Sequence, residues 1–295
     1  MPEPRLTPGT TEPAERVARV ACERAGVVVR GLDGVAEFAA AAQLFAAIWG
    51  KRYDLGPPIN ADLLRALSHA GNYVSGAFDG RGLQGVLVGF LGPGSGELHL
   101  HSHILGVVPG QQARGIGFAL KLHQRSWAID HGLATIEWTF DPLVRRNGYF
   151  NLTKLGGSLA DYLVNFYGLM DDQQNHQDDS DRVLLRWDLG SRLATAAAAG
   201  NAPDPLGATG HTVPFRGLQA GADGAPVVTP PDPLHRLLLM WVPADIVKMR
   251  ADSPAIARQW RMALRQSMLT ALEAGYRCEG MSKAGEYVFQ APPGS

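Results

Sequence analysis

Apolar positions along this chain follow two rhythms. Residues 35–49 form an Ala-rich stretch with apolar side chains recurring at helical spacing. Asn60 stands before a second such stretch, Asn-Ala-Asp-Leu-Leu-Arg-Ala-Leu-Ser-His-Ala, where its short polar side chain suits an N-cap, and Gly71 follows as the stop. The rhythm then changes to apolar, strand-like runs at residues 73–78, 83–91 and 97–108. Asp79-Gly80-Arg81-Gly82 and Gly92-Pro93-Gly94-Ser95-Gly96 part these runs and read as turns, so an antiparallel meander is expected. After Pro109-Gly110 the pattern predicts a helix over residues 112–131, a strand over 134–139 and a helix over 146–155. Antiparallel strands thus give way to β-α-β-α.

The ends of the chain are less regular. Residues 1–15, rich in Pro, Thr and Glu, read as a disordered tail, and residues 26–30 as a short strand. Residues 195–233, rich in Ala, Gly and Pro, read as an irregular connection between a domain at 16–194 and an extension at 234–295. In the extension, a strand is expected over 234–242, a helix over 254–274 with Ser253 as its cap, and a terminal hairpin over 276–280 and 286–290.

Charge narrows the partners. The 27 Lys and Arg nearly balance the 28 Asp and Glu, so there is no strong field to hold a nucleic-acid backbone or an anionic membrane, and a small molecule is the expected partner. No run reaches the length of a membrane span, and the two cysteines, Cys22 and Cys278, have no metal-ligand or disulfide-framework spacing. A cytoplasmic protein is expected, with a homodimer left open as its oligomeric state.

The chemistry concentrates in His103-Ile104-Leu105-Gly106-Val107-Val108-Pro109-Gly110-Gln111-Gln112-Ala113-Arg114-Gly115-Ile116-Gly117. Here a strand runs through a glycine-containing turn into a helix, whose first backbone N–H groups lack internal partners and make an anion site. A P-loop would need Lys-Ser/Thr after its glycines, and a dinucleotide fingerprint would need a third glycine in a parallel β-α-β unit. Neither is present.

The segment resembles motif A of the GNAT superfamily of N-acyltransferases, V-x-P followed by [RQ]-x-x-G-x-[GA], in Val107, Pro109, Gln112, Gly115 and Gly117. The stretches SHILGVVPGQQARGIGFALKLHQR, EWTFDPLVRRNGYFNLTKLGG, NFYG and SDRVLLRW resemble a longer group of predicted GNAT acyltransferases. The resemblance implies a mixed α/β fold with a mostly antiparallel twisted sheet flanked by helices, and residues 16–194 as an acyl-CoA-binding domain. It also implies direct attack of a small-molecule primary amine on acetyl-CoA or another acyl-CoA such as succinyl-CoA. Leu105, Gly106 and Val107 would then flank the pantetheine, Gln112, Ala113, Arg114, Gly115, Ile116 and Gly117 would hold the pyrophosphate, and Asn147 would contact the cofactor.

The family's usual acid, a Tyr, falls on Leu152 in this register, leaving Tyr149, Tyr162 or Tyr167 as substitutes, with Tyr149 the named candidate. His99, His101 and His103 alternate along one strand and share a face, with Leu98, Leu100 and Ile104 expected opposite. His103, nearest the acyl site, is the candidate base, because imidazole suits removal of an ammonium proton near neutral pH. A metal would need further ligands that the sequence does not supply, so none is expected. Asp181, Arg182, Glu137 and Asp141 are candidate acceptor contacts, and the acidic residues 171–172 and 178–179 read as a solvated loop. A catalytically silent acyl-CoA-binding module and an amino-acid N-succinyltransferase are the alternatives.

Overall fold

Local signals and packing agree best in the first half of the chain. The computed structural model describes residues 11–50, 58–94, 97–168, 170, 178–207, 212–230 and 235–292. They divide into two compact units, one of residues up to 138 with 188–190, the other of 139–187 with 191 onward. This boundary differs from the compositional one, which kept residues 16–194 together.

In the first unit, α1 (Thr11–Ala25) and β1 (Val28–Gly31) precede α2 (Gly34–Trp49) and α3 (Ala61–His69). Then come β2 (Tyr73–Asp79), β3 (Gly82–Pro93), β4 (Leu98–Val107), α4 (Ile116–Asp130) and β5 (Thr135–Phe140), the last running two residues past the boundary. The expected tail is therefore helical from Thr11 onward, while residues 1–10 lie outside the described residues. Strands β1 to β4 pair antiparallel in sequence order, and β5 pairs parallel to β4.

One face of this sheet presents Val74, Val86 and Val88 to Phe38 and Phe45 of α2 and Leu64 of α3. On α4, Leu120 and His123 meet the Tyr73 hydroxyl from β2. Asn60 caps α3 as its residue type predicts, its side chain accepting from the Leu63 N–H at 2.8 Å. Gly71 follows with φ 79°, a conformation that favours glycine.

The second unit begins with α5 (Arg145–Gly148), which continues into a π-helical turn (Tyr149–Lys154), then β6 (Ser158–Leu163) and β7 (Arg182–Asp188). Next come α6 (Arg192–Ala198), β8 (Phe215–Ala220), β9 (Pro226–Val228) and β10 (Leu237–Trp241). Last are α7 (Ile246–Asp252), α8 (Pro254–Glu273), β11 (Arg277–Met281) and β12 (Glu286–Gln290). The chain forms a seven-stranded sheet, ordered β1-β2-β3-β4-β5-β7-β6, and a five-stranded sheet, ordered β11-β12-β10-β8-β9. The fold class is mixed α/β with a mostly antiparallel main sheet flanked by helices.

The expected connection at 195–233 holds α6 in part and the whole of β8 and β9. Its glycine content misled because one glycine is a packing requirement: a Cβ at Gly217 would stand 2.5 Å from Leu238 of β10. The terminal hairpin forms as expected from β11 and β12. Ser253 precedes α8 but makes no side-chain capping bond, whereas Asp245 caps α7 by accepting from the Lys248 N–H. Asn60→Ala should lower stability by about 1 kcal/mol through loss of the α3 cap, read as a lower midpoint in urea at unchanged slope.

Candidate active site

The parallel ladder between β4 and β5 contains only Leu100↔Ile136 and His101↔Glu137, although β4 continues to Val107. From Ser102 onward β4 is paired through its β3 side, and its other edge is free of a ladder with β5. A bulge accompanies this parting. Val88 pairs Ile104 and Gly89 pairs Ser102, which leaves His103 as the extra residue. The bulge shifts the alternation of the strand: Leu100 and Ser102 are buried on the face that meets α4, while Ile104 packs in the cluster of Phe45 and Val88. The expected grouping of Leu98, Leu100 and Ile104 on one face fails for that reason, and Leu98 itself is exposed.

The three histidines do stay together. His101 and His103 both lie against the Phe90 ring, with centroids at 5.0 and 5.7 Å, and 6.2 Å from each other. Burial, followed by the charges of His103, His99 and Lys121, pushes His101 down to about 4, and burial also lowers His103. Both rings are therefore neutral at pH 7 and able to accept a proton. His99 Nε2 stands 3.7 Å from Glu137 Oε2, which gives Glu137 a partner within its own sheet. Among the described residues no three His, Cys, Asp or Glu side chains converge on a possible metal position.

Beyond β4 the chain turns at Gly110 (φ 85°), makes a single 3-10 turn at Gln112–Arg114, passes through Gly115 in the left-handed conformation (φ 82°), and enters α4. The single helix expected from residue 112 is thus broken at Gly115. The break makes Ile116 the first helical residue, so the N–H groups of Ile116, Gly117 and Phe118 have no acceptor one turn back. Gln112, Ala113 and Gly115 are exposed beside them. A Cβ on Gly117 would lie 3.4 Å from Leu105 and 3.9 Å from Val107, so this helix start faces the end of β4. Gly106 is fixed by packing on the other side, where a Cβ would meet Ile48 at 2.8 Å.

Arg114 is committed elsewhere. Its guanidinium donates to Asp79 at 3.0 Å, to Gln111 at 3.3 Å and to the Ala25 carbonyl at 3.1 Å. It ties the turn to β2 and the end of α1, leaving the anion site to backbone amides.

No protein-family model matches the chain, and no curated protein matches it. Solved structures do. The ribosomal-protein-S18-alanine N-acetyltransferase of Escherichia coli aligns with 56% of this chain and 95% of its own, at 13% identity and a TM-score of 0.44. Naa50 of Arabidopsis thaliana, in complex with a bisubstrate analogue CoA-Ac-MVNAL, aligns with 55% and 97% at 17% identity and 0.42. The putative acetyltransferase yncA of Salmonella typhimurium, with acetyl-CoA, aligns with 58% and 98% at 14% identity and 0.44. Identities this low leave activity and substrate to be argued from this chain's own residues.

The remaining candidates belong to the second unit. Asn147 lies on α5 and Tyr149 opens the π-helical turn, where Leu152 is buried at 1% exposure. Tyr162 is buried and donates to Asp181 at 2.7 Å, and Tyr167 is exposed with its hydroxyl 3.3 Å from that of Thr139.

Asp141 and Asp181 are engaged by arginines that sequence reading did not single out. Arg250 of α7 and Arg261 of α8 both donate to Asp141, at 2.6 and 2.9 Å, and both also reach Asp178. Arg265, one helical turn beyond Arg261, holds Asp181 and Asp179, each at 2.7 Å. Burial raises the Asp141 carboxyl, but the charges of Arg261 and Arg250 outweigh it and hold it below the usual carboxylate range. Asp181 is likewise raised by burial and lowered further by Arg265 and Tyr162. This geometry favours structural ion pairs over acceptor contacts for both aspartates.

Asp178 is buried and Asp179 is bound by Arg265, so that end of the acidic run is no solvated loop, while Asp171 and Asp172 lie outside the described residues. Arg182 differs from the other three arginines: it donates to the Asp181 carbonyl and to Met170 Sδ and lies over the Tyr167 ring. The signal in the sequence was the presence of Arg261 and Arg265, four residues apart, among the apolar positions Ala257, Trp260, Leu264 and Met268 that α8 buries.

Asp141→Asn would leave two buried guanidinium groups short of charge and should cost roughly 3–5 kcal/mol in a denaturant titration. Both aspartates have folded pKa values below their unfolded ones. Their contribution is therefore full above the unfolded value of about 3.9 and is lost as pH falls through the lowered folded values, so acid unfolding should begin at higher pH in the variant.

Proposed function

We propose that this protein is an acyl-CoA-dependent N-acyltransferase that moves an acyl group, acetyl in the first instance, to a primary amine of a small molecule. The observation that carries the reading is the free edge of β4 from Ser102 to Val107, which ends beside the unpartnered amides of Ile116, Gly117 and Phe118. An anionic pyrophosphate suits those amides and the positive end of α4. The pantetheine suits an unpaired strand edge, because its amides can take the hydrogen bonds that β5 does not supply. Leu105, Gly106 and Val107 would flank it, with Gln112, Ala113 and Gly115 around the phosphates.

At the far end of that edge the bulge at His103 supplies a neutral imidazole as base for the acceptor's ammonium, and the amine then attacks the thioester directly. Backbone N–H groups at the bulge suit the oxyanion, since they are held in place before charge develops. Asn147 as a cofactor contact and Tyr149 as an acid remain part of the reading, as do Glu137 and Arg182 as acceptor contacts. A small-molecule amine in the cytoplasm is the proposed partner.

Calorimetric titration with acetyl-CoA, succinyl-CoA and free CoA at matched ionic strength tests the site, because exposed phosphate contacts are screened by salt. Saturable binding is expected for the wild type and loss of binding for Gly117→Glu, whose carboxylate would occupy the phosphate position. Unchanged binding in that variant would remove the assignment. Once an amine screen with thiol detection has found an acceptor, His103→Ala should lower kcat by about 10²–10⁴-fold. Because the His103 pKa is lowered, the acidic limb of kcat/KM in the wild type should lie below about pH 6.5.

A further inference from the structure

Leu152 stands where the resemblance calls for a Tyr, so the acid at the sulfur falls to Tyr149 as a substitute, and the main sheet holds a second candidate. The face of the main sheet that meets α4 carries a group the mechanism has not used. Lys121, one turn into α4, is buried at 3% exposure, and its ammonium donates to the hydroxyl of Ser102 at 2.8 Å. It also reaches Gln124 Oε1 at 3.4 Å and lies 3.5 Å above the Trp138 ring. No carboxylate is among these contacts. Gln124 is fully buried, and its Nε2 has no hydrogen-bond partner.

Position gives this cluster its meaning. Ser102 on β4 and Trp138 on β5 are the first residues past the last registered pair, His101↔Glu137, so Lys121 sits under the point where the strands part. A pantetheine arm anchored at Val107 and running back along β4 to Ser102 would cover five residues, roughly 17 Å at about 3.4 Å each. That reach matches an extended arm of two amide units and a thioethyl group, and puts the sulfur beside Ser102.

Resting on the function proposed above, we infer that Ser102 and Lys121 form a proton-donating pair for the CoA sulfur: Ser102 is a catalytic residue at the leaving thiolate, and Lys121 is the positioning residue that recharges it. In the transfer step the acceptor nitrogen bonds to the thioester carbon, and the C–S bond breaks with its electron pair on sulfur. The sulfur takes the Ser102 hydroxyl proton, and the hydroxyl regains one from the Lys121 ammonium. The proton released by the acceptor through His103 restores the balance by way of solvent.

Burial lowers Lys121 well below an ordinary lysine, toward the range in which an ammonium gives up a proton readily. Of the titratable and charged groups on the neighbouring elements, His101 on β4 feels the Lys121 charge, Glu137 on β5 meets His99, and Arg125, one turn further along α4, donates to the Leu189 carbonyl.

The test needs no acceptor. Free CoA is bound to the wild type and to Ser102→Ala, Lys121→Met and Lys121→Arg, and the thiolate absorption of the bound CoA is titrated with pH. A free thiol ionises near about 8.5, and a cation held beside it lowers that value by about one unit or more. The wild-type complex should show the lowered value. Lys121→Met should return it to that of free CoA, Ser102→Ala should reduce the shift, and Lys121→Arg should retain it.

Equal thiol ionisation in the wild type and in Lys121→Met would overturn the pair while leaving the CoA site intact. Failure of the wild type to bind CoA would overturn the CoA site and the pair with it. Should Lys121→Met fail to fold, judged by circular dichroism, Ser102→Ala decides: an unchanged shift there overturns the pair.

Discussion

A parallel ladder of two registered pairs is an unusual economy for a strand whose antiparallel ladder with β3 runs from Leu98 to Val107. Backbone N–H and C=O groups left without partners are costly once buried, so a strand edge that stops pairing must face water or a ligand that replaces the ladder. The bulge at His103 is the local cause of the parting, because an extra residue bends its strand and strengthens the twist. The rest of the site follows from that bend. Val107 arrives beside Gly117, Gly115 can take its left-handed conformation in the turn, and the first amides of α4 meet the end of the open edge.

The polar groups gathered around this opening share one electrostatic property. Burial lowers both His101 and His103, the charges of His103, His99 and Lys121 add to the lowering of His101, and burial presses Lys121 toward neutrality beneath them. A reaction that only shuttles protons between nitrogen and sulfur needs groups whose two protonation states are close in free energy at pH 7. Desolvation moves lysine toward that condition by penalising its charged form, whereas it carries histidine further into its neutral form. The same sheet places His103 on one face and Ser102 with Lys121 on the other, so the proposed base and the proposed acid are kept apart by the strand that separates them.

Charge is handled in the opposite way in the second unit. Four aspartates, Asp141, Asp178, Asp179 and Asp181, meet Arg250, Arg261 and Arg265 in a largely buried network. Mutual attraction there keeps the groups ionised in spite of burial. Replacing such a network by apolar residues can be neutral for stability, whereas removing one member is not, and this asymmetry argues for a role in fixing how α7 and α8 pack.

Much of the first unit was legible in the sequence because its signals are local. The Asn60 cap, the turn glycines and the Val107-Pro109 to Gly117 motif each act through neighbours a few residues away, and each appears where residue type and spacing put it. The strands β8 and β9 were missed because Gly217 serves a contact with Leu238, which is distant in sequence, so its composition mimics a loop. Ile104 was placed on the wrong face because a bulge depends on two strands and leaves no mark in the alternation of one. The role of Asp141 was obscured for the same reason, since its partners lie over a hundred residues away. The sequence by itself thus determined most elements of the first unit and the glycine turn that leads into α4, which follow from backbone sterics and helix geometry. Only the tertiary structure decided which strand edge stayed open, which aspartates were spent on arginines, and that a serine and a lysine met at the opening, because burial and pairing are properties of the assembled sheet.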